Sequence, residues 1–220
     1  MYIIIPARYN SSRFPGKPLA LINGIPVIQH TWNNAIKITE NVFIATDDLR
    51  IYDTARKFGA VPILTDHAEN GTERCYEAAE MLGLPDNELI IDLQCDEVHL
   101  SSKSIEFLAK NHFDPVSTLH YNSDERSDDP NDVKVIINKS CRAVFFTRNS
   151  ISYNIHVGIY AFKMHVLRMY HTLGTSFMEL EESLEQMRFI DNDIYIRSNL
   201  ISFPGKSIDV PEDLPNGKNP

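Results

Sequence analysis

The chain has only three cysteines in 220 residues. Cys75, Cys95 and Cys141 are odd in number, widely spaced and without a C-x-x-C pair, which argues against a disulfide scaffold and against a zinc site. A reducing cytoplasm is therefore the expected compartment. No apolar run approaches the roughly 18 residues of a membrane span, and the start lacks a basic head followed by a long apolar stretch, so neither a membrane anchor nor a signal peptide is expected. Positive charge is also in deficit: 21 Lys and Arg stand against 30 Asp and Glu, a net charge of −9. Such a chain has no general basic surface for meeting nucleic-acid phosphates, and any anion it binds must be gripped locally. Internal repeats and low-complexity segments are missing too. At this length, with 43% hydrophobic residues, the chain can bury a substantial core, and one domain over residues 1–220 is expected.

What is there begins at the first residues. A short apolar run, Tyr2 to Ile5, leads into a turn carrying Arg8, Arg13 and Lys17 among small polar residues. Two guanidinium forks, an ammonium and backbone N–H groups on one loop can wrap a triphosphate. The loop is not of the Walker A type, which needs a second glycine upstream and Ser or Thr after the lysine; here Pro18 follows. The same three cations on a solvated surface turn would bind nothing.

Strand-like apolar runs alternate with helical periodicity through Tyr2–Ile5, Val27–Lys37, Val42–Thr46, Arg50–Phe58, Val61–Leu64, Glu73–Leu82 and Leu89–Leu93. This alternation predicts βαβ units and an α/β fold of Rossmann-like type, with a mixed, mostly parallel sheet flanked by helices. Ligands in such sheets sit beyond the carboxyl ends of the strands, which singles out Arg8, the pair Asp47–Asp48, and Gln94-Cys95-Asp96-Glu97. From about Pro115 to residue 200 the runs Val116–Tyr121, Val133–Ile137, Ala143–Thr147 and Gly158–Phe162 read as a more antiparallel extension, with an exposed acidic loop over Asn122–Asp132. Helices are expected near His165–Tyr170 and over Phe177–Ile190, then a strand at Ile194–Ser198, a helix opening at Pro211, and a frayed end over Pro215–Pro220.

Magnesium binds through one or two carboxylates plus phosphate oxygens and water. Asp96, just past a buried strand, is the first candidate, and Asp209 in the last turn is the second. Asp209 reads also as an N-cap of the helix at Pro211, and Asp47 either as the cap of the following helix or as a ribose or base contact.

Several short motifs then resemble, in order, those of the 3-deoxy-manno-octulosonate (Kdo) cytidylyltransferases: Ile5-Pro6-Ala7-Arg8 through Arg13-Phe14-Pro15-Gly16-Lys17-Pro18-Leu19, Ala45-Thr46-Asp47-Asp48, Gly71-Thr72-Glu73-Arg74, Leu93-Gln94-Cys95-Asp96-Glu97, Val133-Lys134-Val135, Gly158-Ile159-Tyr160, Leu184-Glu185-Gln186-Met187-Arg188 and Asp209-Val210-Pro211-Glu212-Asp213-Leu214. The resemblance implies a nucleotide-diphospho-sugar transferase fold, a homodimer with sugar-binding and dimer contacts in the antiparallel extension, and Mg²⁺-dependent transfer of CMP from CTP to an acidic ulosonic sugar with release of pyrophosphate. It assigns Arg8, Arg13, Lys17 and Asp96 to catalysis. Ala7, Arg8, Arg13, Lys17, Asp47, Gly71, Arg74 and Gln94 would bind the nucleotide; His156, Tyr160, Glu182 and Gln186 the sugar; Asp96 and Asp209 the metal. Lipopolysaccharide or surface polysaccharide synthesis would use the product. Alternatives are a synthetase for a sialic- or legionaminic-type nonulosonic acid, or a nucleotide-binding protein of this fold without turnover. The chain departs from the family's usual pattern at Cys95 and Val98, in place of Gly and Pro, at Leu180-Glu181, and in a short connection over Arg148–His156, so altered nucleotide affinity and altered acceptor contacts are expected.

Overall fold

The computed structural model describes residues 1–113 and 115–215. Eleven strands and seven α-helices follow in the order β1 (Tyr2–Pro6), β2 (Leu21–Ile22), β3 (Ile25–Pro26), α1 (Val27–Ala35), β4 (Val42–Thr46), α2 (Leu49–Lys57), β5 (Val61–Leu64), α3 (Gly71–Met81), β6 (Leu89–Leu93), α4 (Ser102–Lys110), β7 (Val116–Asn122), β8 (Lys134–Ile137), β9 (Arg142–Thr147), β10 (Asn154–Lys163), α5 (Met164–Leu173), α6 (Phe177–Glu182), α7 (Met187–Asp191) and β11 (Ile196–Ile201). Nine of the strands form one sheet in the order β5-β4-β1-β6-β10-β7-β11-β9-β8, and β2 and β3 form a separate hairpin.

Pairing is parallel from β5 to β6 and mixed beyond it: β10 runs antiparallel to β6 and β7, whereas β11 runs parallel to β7. Period-two alternation puts each strand's side chains on two faces. Ile4, Ile90, Tyr160 and Phe162 pack on the side covered by α3, α5 and α7. Ile3, Ile5, Ile91, Leu93 and Ile159 pack under α1, α2 and α4. The result is a three-layer α/β arrangement in which the central strands are buried on both faces and therefore read as near-continuous apolar runs.

Local chemistry sets the helix starts. Asp48 caps α2 by accepting from Arg50 N (2.9 Å), Asn70 caps α3 by accepting from Glu73 N (2.8 Å), and Ser176 with Glu179 forms a capping box on α6. The cap before α2 is thus Asp48, not Asp47. The single helix expected over 177–190 is two short ones, because Ser183 takes a left-handed conformation (φ 53°) that ends α6. At Pro211–Asp213 there is one 3₁₀ turn, and Asp209 does not cap it; Asp213 instead accepts from the N–H groups of Asp209 (2.8 Å) and Val210 (3.0 Å). Helix α4 and the β2–β3 hairpin were not foreseen. The end expected to fray lies, past Pro215, outside the described residues.

Candidate active site

Chain order β1, β4, β5 runs outward to one side of β1, and β6 lies on the other. This reversal places the carboxyl ends of β1 and β6 at a switch point, where open α/β sheets hold their ligands. A cavity of about 620 Å³ opens there. Its reacting end is assembled by a small apolar cluster rather than by the sheet alone: Phe14, Val98, Ile208 and Leu214 pack with Ala20, Ile22 and Val27. Phe14 stands beside Arg13 and three residues before Lys17, Val98 two after Asp96, and Ile208 next to Asp209. Burying these apolar side chains together therefore brings the three polar loops into register. A backbone bond from Ile208 N to Asp96 O (3.2 Å) fixes the last of them.

Lys17 is 7% exposed and ion-paired with Asp96. Burial disfavours its ammonium, but Asp96 and then Asp209 outweigh that and raise its pKa above the ordinary lysine value. Arg13 approaches Asp209 (3.3 Å) and donates to Asn131 Oδ1 (2.5 Å). The Asp209 carboxyl is pushed above the usual carboxylate range by burial and by the neighbouring charge of Asp96, while Ser207 Oγ donates to it (2.7 Å). Two carboxylates forced together in a half-wet site form a pair that a divalent cation would relieve. Among the described residues no group of three or more His, Cys, Asp or Glu is placed to hold a metal. Two oxygen ligands, with the rest from phosphate and water, is the donor set that magnesium takes, and this pair fits it. Arg8 is exposed and lines the same end. Cys95 also lines it, but burial and Asp96 push its thiol up to about 12, so no thiolate is available.

Of the residues expected to bind the nucleotide, Ala7 and Gln94 line the cavity at the ends of β1 and β6. The Gln94 side chain is held between two glycines. A Cβ on Gly71 would lie 2.7 Å from its Nε2, and one on Gly158 would lie 3.1 Å from its Cγ and 2.9 Å from Glu97 Oε1. Its amide nitrogen donates to the fully buried Asp92 (3.0 Å). Arg74 reaches the cavity wall but is 3% exposed and committed to Asp47 Oδ2 (2.9 Å) and Thr65 Oγ1 (2.6 Å). Asp47 does not line the cavity; its side chain is the counter-ion of Arg74, neither a cap nor a wall residue.

Of the residues expected on the sugar side, His156, Tyr160 and Gln186 line the cavity. His156 Nε2 is hydrogen-bonded to Thr118 Oγ1 (2.9 Å) and its ring meets Phe146 edge-on. Burial, with His120 nearby, pushes it to about 3, so it stays neutral. Glu182 is not on the wall; Glu179 and Glu185 are. In a continuous helix Glu182 and Gln186 would share a face, as i and i+4 do. The break at Ser183 removes that phase relation. Glu185 Oε2 then accepts from Gly71 N (2.7 Å) at the start of α3.

Sequence reasoning gave no role to Glu97, Arg148 or Lys206, all on the cavity wall. Glu97 accepts from Gly158 N (2.6 Å) and is pushed to about 8 by burial and Asp96. Its signal was its place in the acidic run after β6. Arg148 directly follows β9, and Lys206 lies in the final turn, where it pairs with Asp129 (2.9 Å) and Asp213 (3.0 Å).

This geometry agrees with comparisons to known proteins. Residues 2–199 match the family model described as Cytidylyltransferase. The chain is 36% identical to 3-deoxy-manno-octulosonate cytidylyltransferase of Thermodesulfovibrio yellowstonii, covering 96% of this chain and 94% of that one. It is also 36% identical to 8-amino-3,8-dideoxy-manno-octulosonate cytidylyltransferase of Shewanella loihica, with the same coverage. Among solved structures it is similar to CMP:2-keto-3-deoxy-manno-octonic acid synthetase complexed with CTP, at 35% identity and a TM-score of 0.82, over 96% of this chain and 93% of that one. The similarity thus runs over nearly the whole length, and the chain belongs to the cytidylyltransferase family, together with the 3-deoxy-manno-octulosonate cytidylyltransferases.

Proposed function

We propose that this protein transfers CMP from CTP to the anomeric oxygen of a 3-deoxy-ulosonic acid, Kdo or its 8-amino relative, and releases pyrophosphate. The observation that carries the reading is the convergence of Arg13, Lys17, Asp96 and Asp209 at the carboxyl ends of β1 and β6, in a chain similar over its length to a synthetase complexed with CTP. The reaction needs no protein nucleophile. The sugar hydroxyl oxygen attacks the α-phosphorus, a new P–O bond forms, the bond to the β-phosphate oxygen breaks, and the hydroxyl proton is lost to solvent.

Arg8, Arg13 and Lys17 would receive the β- and γ-phosphates and offset the charge that builds on departing pyrophosphate. Gln94, clamped between Gly71 and Gly158, would face the nucleoside. Asp96 and Asp209 would hold Mg²⁺, which when bound supplies neutralisation of phosphate charge and polarisation of the reacting oxygens. His156, Tyr160 and Gln186 would meet the sugar, and neutral His156, its Nε2 bonded to Thr118, offers its Nδ1 to a hydroxyl. We further propose a cytoplasmic homodimer whose product feeds lipopolysaccharide or surface polysaccharide synthesis.

The test is pyrophosphate release by the purified protein with Mg²⁺ and CTP, alone and with Kdo, 8-amino-Kdo or a sialic acid. Release that depends on Kdo or 8-amino-Kdo is the expected result. Release only with the sialic acid would move the assignment to a nonulosonic acid synthetase. CTP binding without release from any acceptor would leave a nucleotide-binding protein without turnover.

A further inference from the structure

A buried carboxyl that the proposed reaction does not use stands behind the cavity wall. Asp92 on β6 is fully buried, flanked in the sheet by Ile4 of β1 and Tyr160 of β10. Neither Asp92 nor Thr72 lines the cavity, but each touches a residue that does. Asp92 Oδ1 accepts from the Gln94 amide (3.0 Å), and Thr72 Oγ1 donates to Glu185 Oε1 (3.0 Å). Asp92 Oδ2 stands 3.5 Å from that same hydroxyl oxygen. Gln94, Asp92, Thr72 and Glu185 therefore form one chain of polar contacts from the end of β6 to the link between α6 and α7.

The Thr72 hydroxyl has one hydrogen and two carboxyl groups within reach, so it donates to only one of them. Given to Glu185 at the shorter distance, that hydrogen leaves Asp92 Oδ2 facing an oxygen with nothing between them, unless Asp92 itself carries a proton. As a carboxylic acid, Asp92 donates from Oδ2 to Thr72 Oγ1, Thr72 donates to Glu185, and Asp92 Oδ1 still accepts from Gln94. Glu185 is the better place for the negative charge. Its carboxylate also accepts from the N–H groups of Gly71 (2.7 Å) and Thr72 (3.4 Å) at the start of α3, where the helix dipole favours an anion. Among the described residues neither carboxyl is ion-paired, and Arg188 is taken by Glu179 and Glu73. The titratable groups around the two carboxyls are Cys75 on α3, Tyr160 on β10, Tyr170 on α5 and Glu179 on α6, all neutral or anionic. Burial and then Glu185 accordingly hold the Asp92 carboxyl well above the usual carboxylate range. The effect reaches Gln94. With one N–H held by Asp92 Oδ1, and with Gly71 and Gly158 close on either side, its amide has one orientation.

Resting on the function proposed above, in which Gln94 faces the nucleoside, we infer that Asp92 is a positioning residue that works as a neutral carboxylic acid: its proton joins Gln94 to Glu185 through Thr72 and fixes the Gln94 amide for the substrate it meets. Asp92 itself touches no substrate. The experiment compares the wild type with Asp92→Asn, Asp92→Leu and Thr72→Val, with circular dichroism to check that each variant is folded. Infrared difference spectra of wild type against Asp92→Asn at pH 7 test the proton without any substrate. A protonated-carboxyl C=O band that shifts in heavy water and is missing from the variant is expected. A wild type without that band overturns the inference, whatever reaction the protein catalyses.

Steady-state kinetics with CTP and Kdo test the positioning. Asn keeps the shape, accepts from Gln94 and donates to Thr72, so Asp92→Asn should hold both KM values within about threefold. Asp92→Leu removes both contacts and should raise the KM for CTP about tenfold, leaving that for Kdo within about threefold. Thr72→Val cuts the chain with Asp92 in place and should raise the KM for CTP by about threefold or more, which keeps the test open if Asp92→Leu does not fold. A rise confined to Kdo keeps the role of Asp92 and moves Gln94 to the sugar. Unchanged constants in folded Asp92→Leu and Thr72→Val, or a loss in Asp92→Asn as large as in Asp92→Leu, overturn the inference. If the wild type releases no pyrophosphate, calorimetric binding of CTP with Mg²⁺ to the same variants separates the cases. Binding weakened in Asp92→Leu but not in Asp92→Asn would keep the inference while the function falls; equal binding by all would overturn the positioning, and no binding by the wild type would overturn both.

Discussion

Single side chains carry the chemistry here, and two of them allow sharp tests. Asp96 faces the Lys17 ammonium at 9% side-chain exposure of the lysine, so replacing it with the isosteric amide removes a charge without opening space. Asp96→Asn should lower pyrophosphate release at least a hundredfold with an unchanged far-UV spectrum; near-normal turnover would remove Asp96 as a metal ligand. His120, in contrast, lies outside the cavity wall and bears on stability alone. It is buried, bonded to Ser198 Oγ (2.8 Å), and burial lowers it to about 4. In the unfolded chain it takes up a proton near 6.5, whereas the folded protein does not until about 4. Its contribution is therefore present above 6.5 and is lost as pH falls towards 4, at a slope of at most about 1.4 kcal/mol per pH unit. Urea unfolding of wild type and His120→Asn at pH 7.0 and 5.0 should show the gap between them shrinking on acidification. A gap that is constant or grows would sink the assignment.

At the scale of elements, the α6–α7 wall shows how the fold holds one side of the cavity. Arg188 on α7 is fully buried, makes a two-bond fork to Glu179 on α6 (2.7 and 3.0 Å), pairs with Glu73 on α3, and stacks on Tyr170 of α5 at 4.1 Å. It ties four helices at one point. Arg188→Ala would leave the buried Glu179 without its fork and Glu73 with His171 as its remaining partner, a loss on the order of 3–5 kcal/mol. The midpoint of urea unfolding should drop accordingly, and a change under about 1 kcal/mol would mean that water replaces the guanidinium. None of this was legible in the run 177–190, which carries an apolar face and a crowd of glutamates that suits one solvated helix. A single left-handed residue, Ser183, changes the phase, and no local Gly or Pro marks it. Elements whose boundaries depend on local chemistry fared better. The strands of the parallel half fell where apolar runs end at turn residues, and α3 begins after Asn70, a good cap.

For the molecule as a whole, ligand linkage is the natural test. A ligand that binds only the folded state at a hundred times its Kd adds about 2.7 kcal/mol, which in a chain of this size raises Tm by roughly 5–10 °C. CTP with Mg²⁺ should produce such a shift, and excess EDTA should abolish most of it because the triphosphate then faces Asp96 and Asp209 unshielded. A shift indifferent to EDTA would remove the metal from the nucleotide complex. Sedimentation equilibrium checks the proposed dimer: a mass near twice the 25.1 kDa of one chain is expected, and a mass of one chain at micromolar concentration would overturn it.

The sequence by itself determined the α/β class, the ends of the central strands and which loops, carrying Arg8, Arg13, Lys17 and Asp96, reach the cavity, because these follow from short-range pattern: alternation, turn chemistry and charge placed just after an apolar strand. It left Asp209 divided between cap and ligand, put Asp47 in the wrong role, favoured Glu182 over Glu185, and gave no role to Glu97 or Arg148. Those assignments depend on which distant side chain arrives as partner. Asp213 takes the capping task and frees Asp209; Arg74 claims Asp47; the Phe14–Val98–Ile208 cluster brings three loops into one place. Partnership across long sequence separation is set by packing, and only the tertiary structure decides it.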